Sequence, residues 1–240
     1  MDDRFDSYLG YNKMNLIMEN KNKLKHVSFA GIDRNTDSEE LRRIQDEFPM
    51  VEFGVLMSCN WFENGNRYMS PSDIERFSGL NLCAHLCGKM ARDFMKGDVG
   101  LLDGTYPYWK TMFNRIQVNV APYGSSEGID WSGEQEVYVQ CKPNQYDNYE
   151  NSHGVGMLID NSGGRGIDEQ WTVYPTKEKI GYAGGLNPSN VVTKTASLMD
   201  NDSVGDFWID MESGVRDEDD WFSIEKVRAV LNNLKERGLI

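Results

Sequence analysis

Four stretches of the chain place reactive side chains at the two-residue period of a strand, which would aim them in a common direction. In Leu82-Cys83-Ala84-His85-Leu86-Cys87 the period puts Cys83, His85 and Cys87 on one face. In Trp208-Ile209-Asp210-Met211-Glu212 it groups Trp208, Asp210 and Glu212, and in the run after Asn114 it groups Arg115, Gln117 and Asn119. A fourth run, Gly156–Asp160, ends on a carboxyl. Acidic groups that share a buried mouth repel one another and lose solvation, so at least one keeps its proton to higher pH and can serve as a general acid or bind sugar hydroxyls. The bland alternative is a solvated strand end in which the acids pair with Arg216 or Arg165. Cys-x-His-x-Cys could suggest a metal, but same-face positions on a strand lie about 7 Å apart, too far for three ligands of one tetrahedral zinc. No metal is expected, and His85 is read as an interior hydrogen-bonding residue or an acid–base group.

A second chemistry is carried by glycine. Asp160-Asn161-Ser162-Gly163-Gly164-Arg165-Gly166 and Gly181-Tyr182-Ala183-Gly184-Gly185-Leu186-Asn187-Pro188 each follow an apolar run. Glycine lets backbone N–H groups approach an anion, and a helix start at Asn187-Pro188 would add donors and a positive dipole end. Each glycine pair alone is equally compatible with a tight turn. Gly163, Gly164, Arg165, Gly166, Gly184 and Gly185, joined by Ser213 and Gly214 from the run Ile209–Arg216, make a candidate phosphate cradle. Asn119 and Arg67, in the loop Gly65-Asn66-Arg67-Tyr68, are further binding candidates, Arg67 as a bidentate donor to a carboxylate or phosphate. The aromatics Trp61, Phe62, Tyr106, Tyr108 and Trp109 fall in long connections and would either stack on a planar ligand or pack into the core.

These residues need elements to hold them. Eight short apolar runs read as strands: Val27–Ile32, Val51–Met57, Leu82–Cys87, Arg115–Val120, Glu136–Cys141, Gly156–Asp160, Ile180–Ala183 and Phe207–Met211. Several lack polar alternation, as parallel strands buried on both faces do. Between them, Asp37 with Glu40 makes a capping box, Ser70-Pro71 a cap followed by proline at the first helical position, and Asn187-Pro188 the same device again. Ile224, Val227, Val230, Leu231 and Leu234 form the apolar stripe of a last helix that Gly238 would stop. Strand alternating with helix predicts a single-domain α/β (β/α)8 TIM barrel over residues 26–240 behind a polar extension, residues 1–25. The runner-up is an open doubly wound sheet. The segments Asp98–Asn114, aromatic and helix-compatible, and Tyr123–Glu134, a Gly/Ser loop, give the weakest pattern.

With 38 acidic and 25 basic residues the chain carries a net charge of −13. Such a surface repels nucleic acid and anionic membranes, so a phosphorylated small molecule held by local donors is the expected partner, while a homo-oligomer stays open. The four cysteines form no C-x-x-C pair, the N-terminus has no apolar core of a signal peptide, and no run reaches the length of a bilayer span. The expected compartment is the cytoplasm.

Taken in chain order, these segments resemble the phosphoribosylanthranilate isomerase family, barrels of tryptophan biosynthesis. The likeness rests on Asn66-Arg67-Tyr68-Met69-Ser70-Pro71, Asp160, Gly163-Gly164-Arg165-Gly166, Ala183-Gly184-Gly185-Leu186-Asn187-Pro188-Ser189-Asn190-Val191 and Asp210 through Gly214. It spans most of residues 26–234 and implies a general acid at Asp160 and phosphate on the glycine loops. The family's reaction opens a ribosylamine and moves a proton from carbon, which needs a base beside the acid. In the family that base is the cysteine of a Cys-Gly pair ending strand one, and the matching pair here is Ala30-Gly31. Asn119 stands where the family has His-Gly after the fourth strand. His85, Asp210 and Glu212 are the substitute bases, and Ala84-His85-Leu86-Cys87-Gly88 with Trp208 through Gly214 is similar to a divergent branch of these barrels. The resemblance implies an isomerase or lyase that uses no metal and no cofactor. Loss of the base favours a different class, a protein that sequesters or senses a nucleotide-derived molecule, and a weaker third reading is an interaction protein using its acidic surface.

Overall fold

The computed structural model describes residues 23–63, 65–119, 133–148, 155–163, 165–175 and 180–240. Eight parallel strands close in chain order: β1 (Leu24–Ala30), β2 (Val51–Met57), β3 (Leu82–Leu86), β4 (Arg115–Val118), β5 (Glu136–Cys141), β6 (Val155–Asp160), β7 (Ile180–Ala183) and β8 (Phe207–Met211). β8 pairs back onto β1 through Ser28 opposite Asp210, so the sheet has no edges and the open-sheet alternative falls. The expected strands recur with shifted ends. β1 starts three residues earlier and stops at Ala30, because Gly31 turns the chain at φ +82° and the N–H groups of Gly31 and Ile32 both go to the Gly54 carbonyl. β3 and β4 stop short, each followed by one ladder-like bond, from Cys87 N–H to Met57 O and from Asn119 N–H to Leu86 O.

The helices are α1 (Ser38–Glu47), α2 (Pro71–Ile74), α3 (Gly88–Phe94), α4 (Gly100–Thr105), α5 (Trp109–Met112), α6 (Val191–Met199) and α7 (Ile224–Glu236). Asp37 caps α1 by accepting from the N–H groups of Glu39 and Glu40, but the Glu40 side chain turns to Arg43 and Arg228 instead of reaching back. Ser70 caps α2 with Pro71 in its first turn, and Ser223 caps α7, whose Val227, Val230, Leu231 and Leu234 are buried. The Asn187-Pro188 start is corrected. The Asn187 side chain accepts from Ser189 N–H at 2.9 Å, a turn before the helix, and α6 begins at Val191 without a side-chain cap. The helical alternation also lapses: β5 to β6 holds a 3-10 segment, Pro143–Asn148, and the described part of β6 to β7 holds no helix. Among the described residues no helix is long and apolar enough to cross a membrane.

Outward-facing strand residues such as Val27, Phe29, Val55, Ile116, Ile159 and Ile209 pack under the helices in the main core. A second, small cluster of Tyr138, Leu158, Ala183 and Trp208 fills the barrel itself. Glycine makes room for it. A Cβ at Gly156 would lie 2.2 Å from the Tyr138 ring and one at Gly181 2.3 Å from the Trp208 ring. Gly54 does the same for His85, whose Nε2 would sit 2.6 Å from an added Cβ. Below the mouth, Arg115 pairs with buried Glu52 at 2.8 Å and lies against both the Tyr138 and Trp208 rings, 4.7 and 4.6 Å from their centroids, the two rings themselves meeting edge to face.

Gly156→Ala and Gly181→Ala should each destabilise the fold by about 1–3 kcal/mol through overpacking. Gly104→Ala, whose Cβ meets open space in α4, should instead be neutral or stabilising by up to about 1 kcal/mol. Urea unfolding midpoints at constant slope measure all three.

Candidate functional site

The strand period brings the inward residues of β3, β4, β6 and β8 to the carboxyl end of the barrel, where a cavity of about 240 Å3 opens. Its lining includes Arg67, His85, Asn119, Asp160, Gly166, Gly184, Gly185, Asp210, Glu212, Ser213 and Gly214 from the sequence-derived set, together with Gln117, Gln140 and Ser162. Gly163 and Arg165 are not brought in. A Cβ on Gly163 would press on Lys142, and Arg165 turns outward to Glu169 and the Ser162 carbonyl. Gly164 and most of the loop Tyr123–Glu134 lie outside the described residues. Of the two alternatives for the loop aromatics, Tyr106 and Trp109 follow the core one, while Phe62 and Tyr108 are exposed. Tyr106, Tyr108 and Trp109 line a separate apolar hollow against α2, and Tyr106 and Trp109 are buried.

The three carboxyl groups in the cavity have different surroundings. Asp160 accepts from Ser162 N–H at 3.0 Å, from the Ser162 hydroxyl at 2.8 Å and from the Gln140 amide. Glu212 takes one edge of the Arg67 guanidinium, whose other edge is bidentate on Asp220 at 2.9 and 2.8 Å. Its two carboxylate partners hold the Arg67 proton more firmly than usual. The alternative in which Asp210 and Glu212 meet Arg216 or Arg165 does not hold. Asp210 faces the barrel interior, where burial pushes its carboxyl up to about 6.

Gln117 links the floor. Its Nε2 donates to His85 Nδ1 and to Asn119 Oδ1, both at 3.1 Å, and reaches Asp210 Oδ2 at 3.4 Å. An acceptor at Nδ1 leaves the His85 proton on Nε2, which has no hydrogen-bond partner among the described residues. Burial drives His85 down to about 3, so its ring is neutral across the physiological range. The Cys87 thiol beside it is pushed up to about 11 by burial and receives the Asn119 amide at 3.7 Å. Neither cysteine of the β3 face is therefore a thiolate, since burial also raises Cys83 well above its ordinary value.

The glycine loops serve two ends. A Cβ at Gly184 would lie 2.6 Å from Ser162 N, one at Gly185 2.3 Å from the Ile167 carbonyl, and one at Gly214 1.8 Å from Leu186 O. Close packing of the loops after β6, β7 and β8 thus requires glycine in its own right. At the same time the N–H groups of Gly184, Gly185, Ser213 and Gly214 have no acceptor among the described residues and belong to residues that line the cavity. Gly166 differs, because its N–H already goes to the Ser162 hydroxyl at 3.0 Å.

Behind the rim, buried Arg216 donates to Gly31 O at 2.7 Å, to Asp33 at 3.1 Å and to the Asp220 side chain at 3.0 Å. Asp33 also accepts from Phe222 N–H, Asn35 N–H and the Thr36 hydroxyl. Ser162, Gln140, Asp33 and Asp220 were not singled out from sequence. Gln140 carried the same signal as Gln117, a polar residue on the inward phase of an apolar run. Ser162 carried a weaker one, a hydroxyl two residues after Asp160, the spacing of an Asx turn.

No family model and no curated protein matches the chain. Solved structures do. The barrel is similar to a phosphoribosylanthranilate isomerase from Thermotoga maritima, described as mutually generated monomers of the dimeric enzyme, at 16% identity and a TM-score of 0.55 over 88% of this chain and 99% of that one. The Thermus thermophilus phosphoribosyl anthranilate isomerase gives 16% identity, a TM-score of 0.55 and the same coverage. TrpF from Jonesia denitrificans gives 14% and 0.53 over 88% and 96%. At these identities the likeness establishes the fold alone, a (β/α)8 barrel similar in architecture to those enzymes.

Arg216→Gln should lower stability by roughly 3–5 kcal/mol, because it leaves the buried Asp33 carboxylate without its cation. Arg165→Gln, at an exposed pair, should stay within about 0.5 kcal/mol of the native protein. Chemical denaturation of the two variants separates the buried clamp from the surface pair.

Proposed function

We propose that this protein binds a phosphorylated, hydroxyl-rich small molecule of the phosphoribosyl type at the carboxyl-end mouth of the barrel and isomerises it by acid–base chemistry. The observation that carries this reading is the group of N–H donors on Gly184, Gly185, Ser213 and Gly214 that have no acceptor among the described residues, on residues that line one cavity together with Asp160, Asp210 and Glu212. Backbone amides suit a phosphate, and carboxylates accept hydroxyl hydrogens, so one ligand would satisfy both sets. The lining favours a single phosphate over a pyrophosphate. Arg67, its only cation, is already held by Glu212 and Asp220, which leaves amide dipoles to balance the ligand's charge. The fold match to phosphoribosylanthranilate isomerases supports the same substrate class by analogy.

Ala30, buried at the top of β1, favours a second reading. With no basic group at that position, the pocket would retain a nucleotide-derived ligand without converting it.

Calorimetry with a set of phosphoribosyl compounds, each paired with its dephosphorylated form, tests the site, and proton NMR of the same mixtures tests turnover. The phosphorylated member should bind at least about tenfold more tightly, worth about 1.4 kcal/mol. Equal affinity within every pair, or no binding by any, would remove the phosphate site. Binding with conversion supports the isomerase, and binding without it the sequestering protein.

A further inference from the structure

Of the three acidic side chains lining the cavity, Asp210 is the one left short of donors. Asp160 receives three hydrogen bonds and Glu212 a guanidinium. Asp210 Oδ2 has only the 3.4 Å approach of Gln117 Nε2, whose two hydrogens are already committed at 3.1 Å to His85 and Asn119. Its Oδ1 is buried and has no hydrogen-bond partner within ordinary distance among the described residues, the Ser28 hydroxyl offsetting its burial only in part. A buried carboxyl with few and long donor contacts keeps its own hydrogen to higher pH than one supplied with short ones.

We propose that Asp210 is the proton donor of the mouth and Asp160 its proton-accepting counterpart, the reverse of the order expected from the sequence. This deepens the isomerase reading above and rests on it for the identity of the ligand. The groups around Asp210 agree. Ser28 opposes it on β1, and Glu52 on β2 is neutralised by Arg115 of β4. His85 on β3 is uncharged, Asp160 on β6 adds repulsion, and Glu212, just beyond the end of β8, is paired with Arg67. Burial is the largest influence on Asp210 and raises it to about 6, with Ser28, Gln117 and Arg115 offsetting only part.

The step suits a ligand carrying a carbonyl beside a CHOH carbon. Asp160 takes the carbon-bound proton, the C–H electron pair becomes a C=C bond, and the carbonyl π pair moves to oxygen, which takes the Asp210 proton. The product is an enediol, with Asp160 protonated and Asp210 ionised. Nothing is oxidised or reduced, and the second half completes an aldose–ketose type of isomerisation: Asp160 returns its proton to the former carbonyl carbon while ionised Asp210 takes the proton of the other enediol hydroxyl, whose oxygen becomes the new carbonyl, so both groups regain their starting states. Gln117 is a positioning residue, since it touches Asp210 rather than the ligand.

The assignment is testable without ligand, by carbon-13 NMR of protein labelled at the aspartate carboxyl and titrated from about pH 4 to 8. One aspartate should titrate near pH 6. It should vanish in Asp210→Asn, persist at slightly lower pH in Asp160→Asn, and move upward in Gln117→Leu, which removes a donor to the ionised form. Loss of that signal in Asp160→Asn with survival in Asp210→Asn would overturn the proposal, as would no aspartate titrating above the ordinary range. Should Asp210→Asn not fold, the opposite shifts in Asp160→Asn and Gln117→Leu decide the matter. Stability gives a second readout. With a folded value above the ordinary 3.8, Asp210 contributes stability that is complete below pH 3.8 and lost as pH rises through about 6. The unfolding free energy of Asp210→Asn minus that of the native protein should therefore rise over this window and be flat above it. Absence of phosphoribosyl binding would count against the preceding reading and leave these titrations unaffected.

Discussion

One buried guanidinium organises the mouth. Arg216 reaches the backbone of Gly31 after β1, the carboxylate of Asp33 beyond it, and Asp220 in its own loop after β8. Asp220 in turn holds Arg67 from the loop after β2, and Arg67 holds Glu212. Three loops that are distant in sequence are thus fixed by one alternating chain of charges, three carboxylates on two guanidinium groups. At its buried end Arg216 and Asp33 depend on each other, because removing one leaves an uncompensated buried charge, while Asp220, Arg67 and Glu212 keep partial access to solvent. The seam between β8 and β1 is where a barrel must close, and the rim residues Glu212, Ser213 and Gly214 leave β8 directly from it. Asp220, at φ +62°, is the one non-glycine residue with a left-handed backbone among those described, and it sits at the centre of this clamp. Its two arginine partners hold it there.

Below the rim the barrel departs from a purely aliphatic filling. Tyr138 and Trp208 occupy the interior because β6 and β7 offer Gly156 and Gly181 opposite them. The aromatic pair then shields Arg115, which neutralises Glu52 and keeps the lower barrel from adding net charge to the mouth. Above that layer, Gln117 divides two hydrogens among three acceptors, so the floor of the cavity is under-supplied with donors at one place, Asp210.

The inward faces were legible in the sequence for a covalent reason: alternation along a strand is set by the backbone, so Cys83 with His85, Arg115 with Gln117 and Asp210 with Trp208 could be grouped before any packing was known. The closed sheet followed from eight such runs. Loops were less legible, because their targets are chosen by tertiary partners. Arg165 had the composition of a phosphate ligand and went to Glu169. Asn187 had the composition of a helix cap and closed a turn four residues ahead of α6. Tyr106 and Trp109 were compatible with stacking or with core, and only their packing against α2 decided for core. Glycine was ambiguous for a deeper reason. Close approach of two backbones and close approach of an anion both demand the missing Cβ, and Gly184, Gly185 and Gly214 meet the first demand while leaving their N–H groups available for the second.

The same residues explain how a mouth with three acids could accept an anion. Arg67 is shared between Glu212 and Asp220, so it offsets the Glu212 charge only in part, and the repulsion a phosphate would meet comes from Asp160, Asp210 and this remainder. A proton on Asp210 removes part of it and turns that carboxyl from an acceptor into a donor. Anion binding and protonation of Asp210 must then favour each other, since each lowers the electrostatic work of the other. Ala30 removes a proton-accepting side chain from the end of β1, and neutral His85, driven far below its ordinary range, does not supply one. Under the proposed isomerisation the proton transfers fall to the two aspartates, and the difference between them is made by neighbours: a serine and a glutamine that supply one with short donor contacts, and a glutamine that gives the other only a 3.4 Å one.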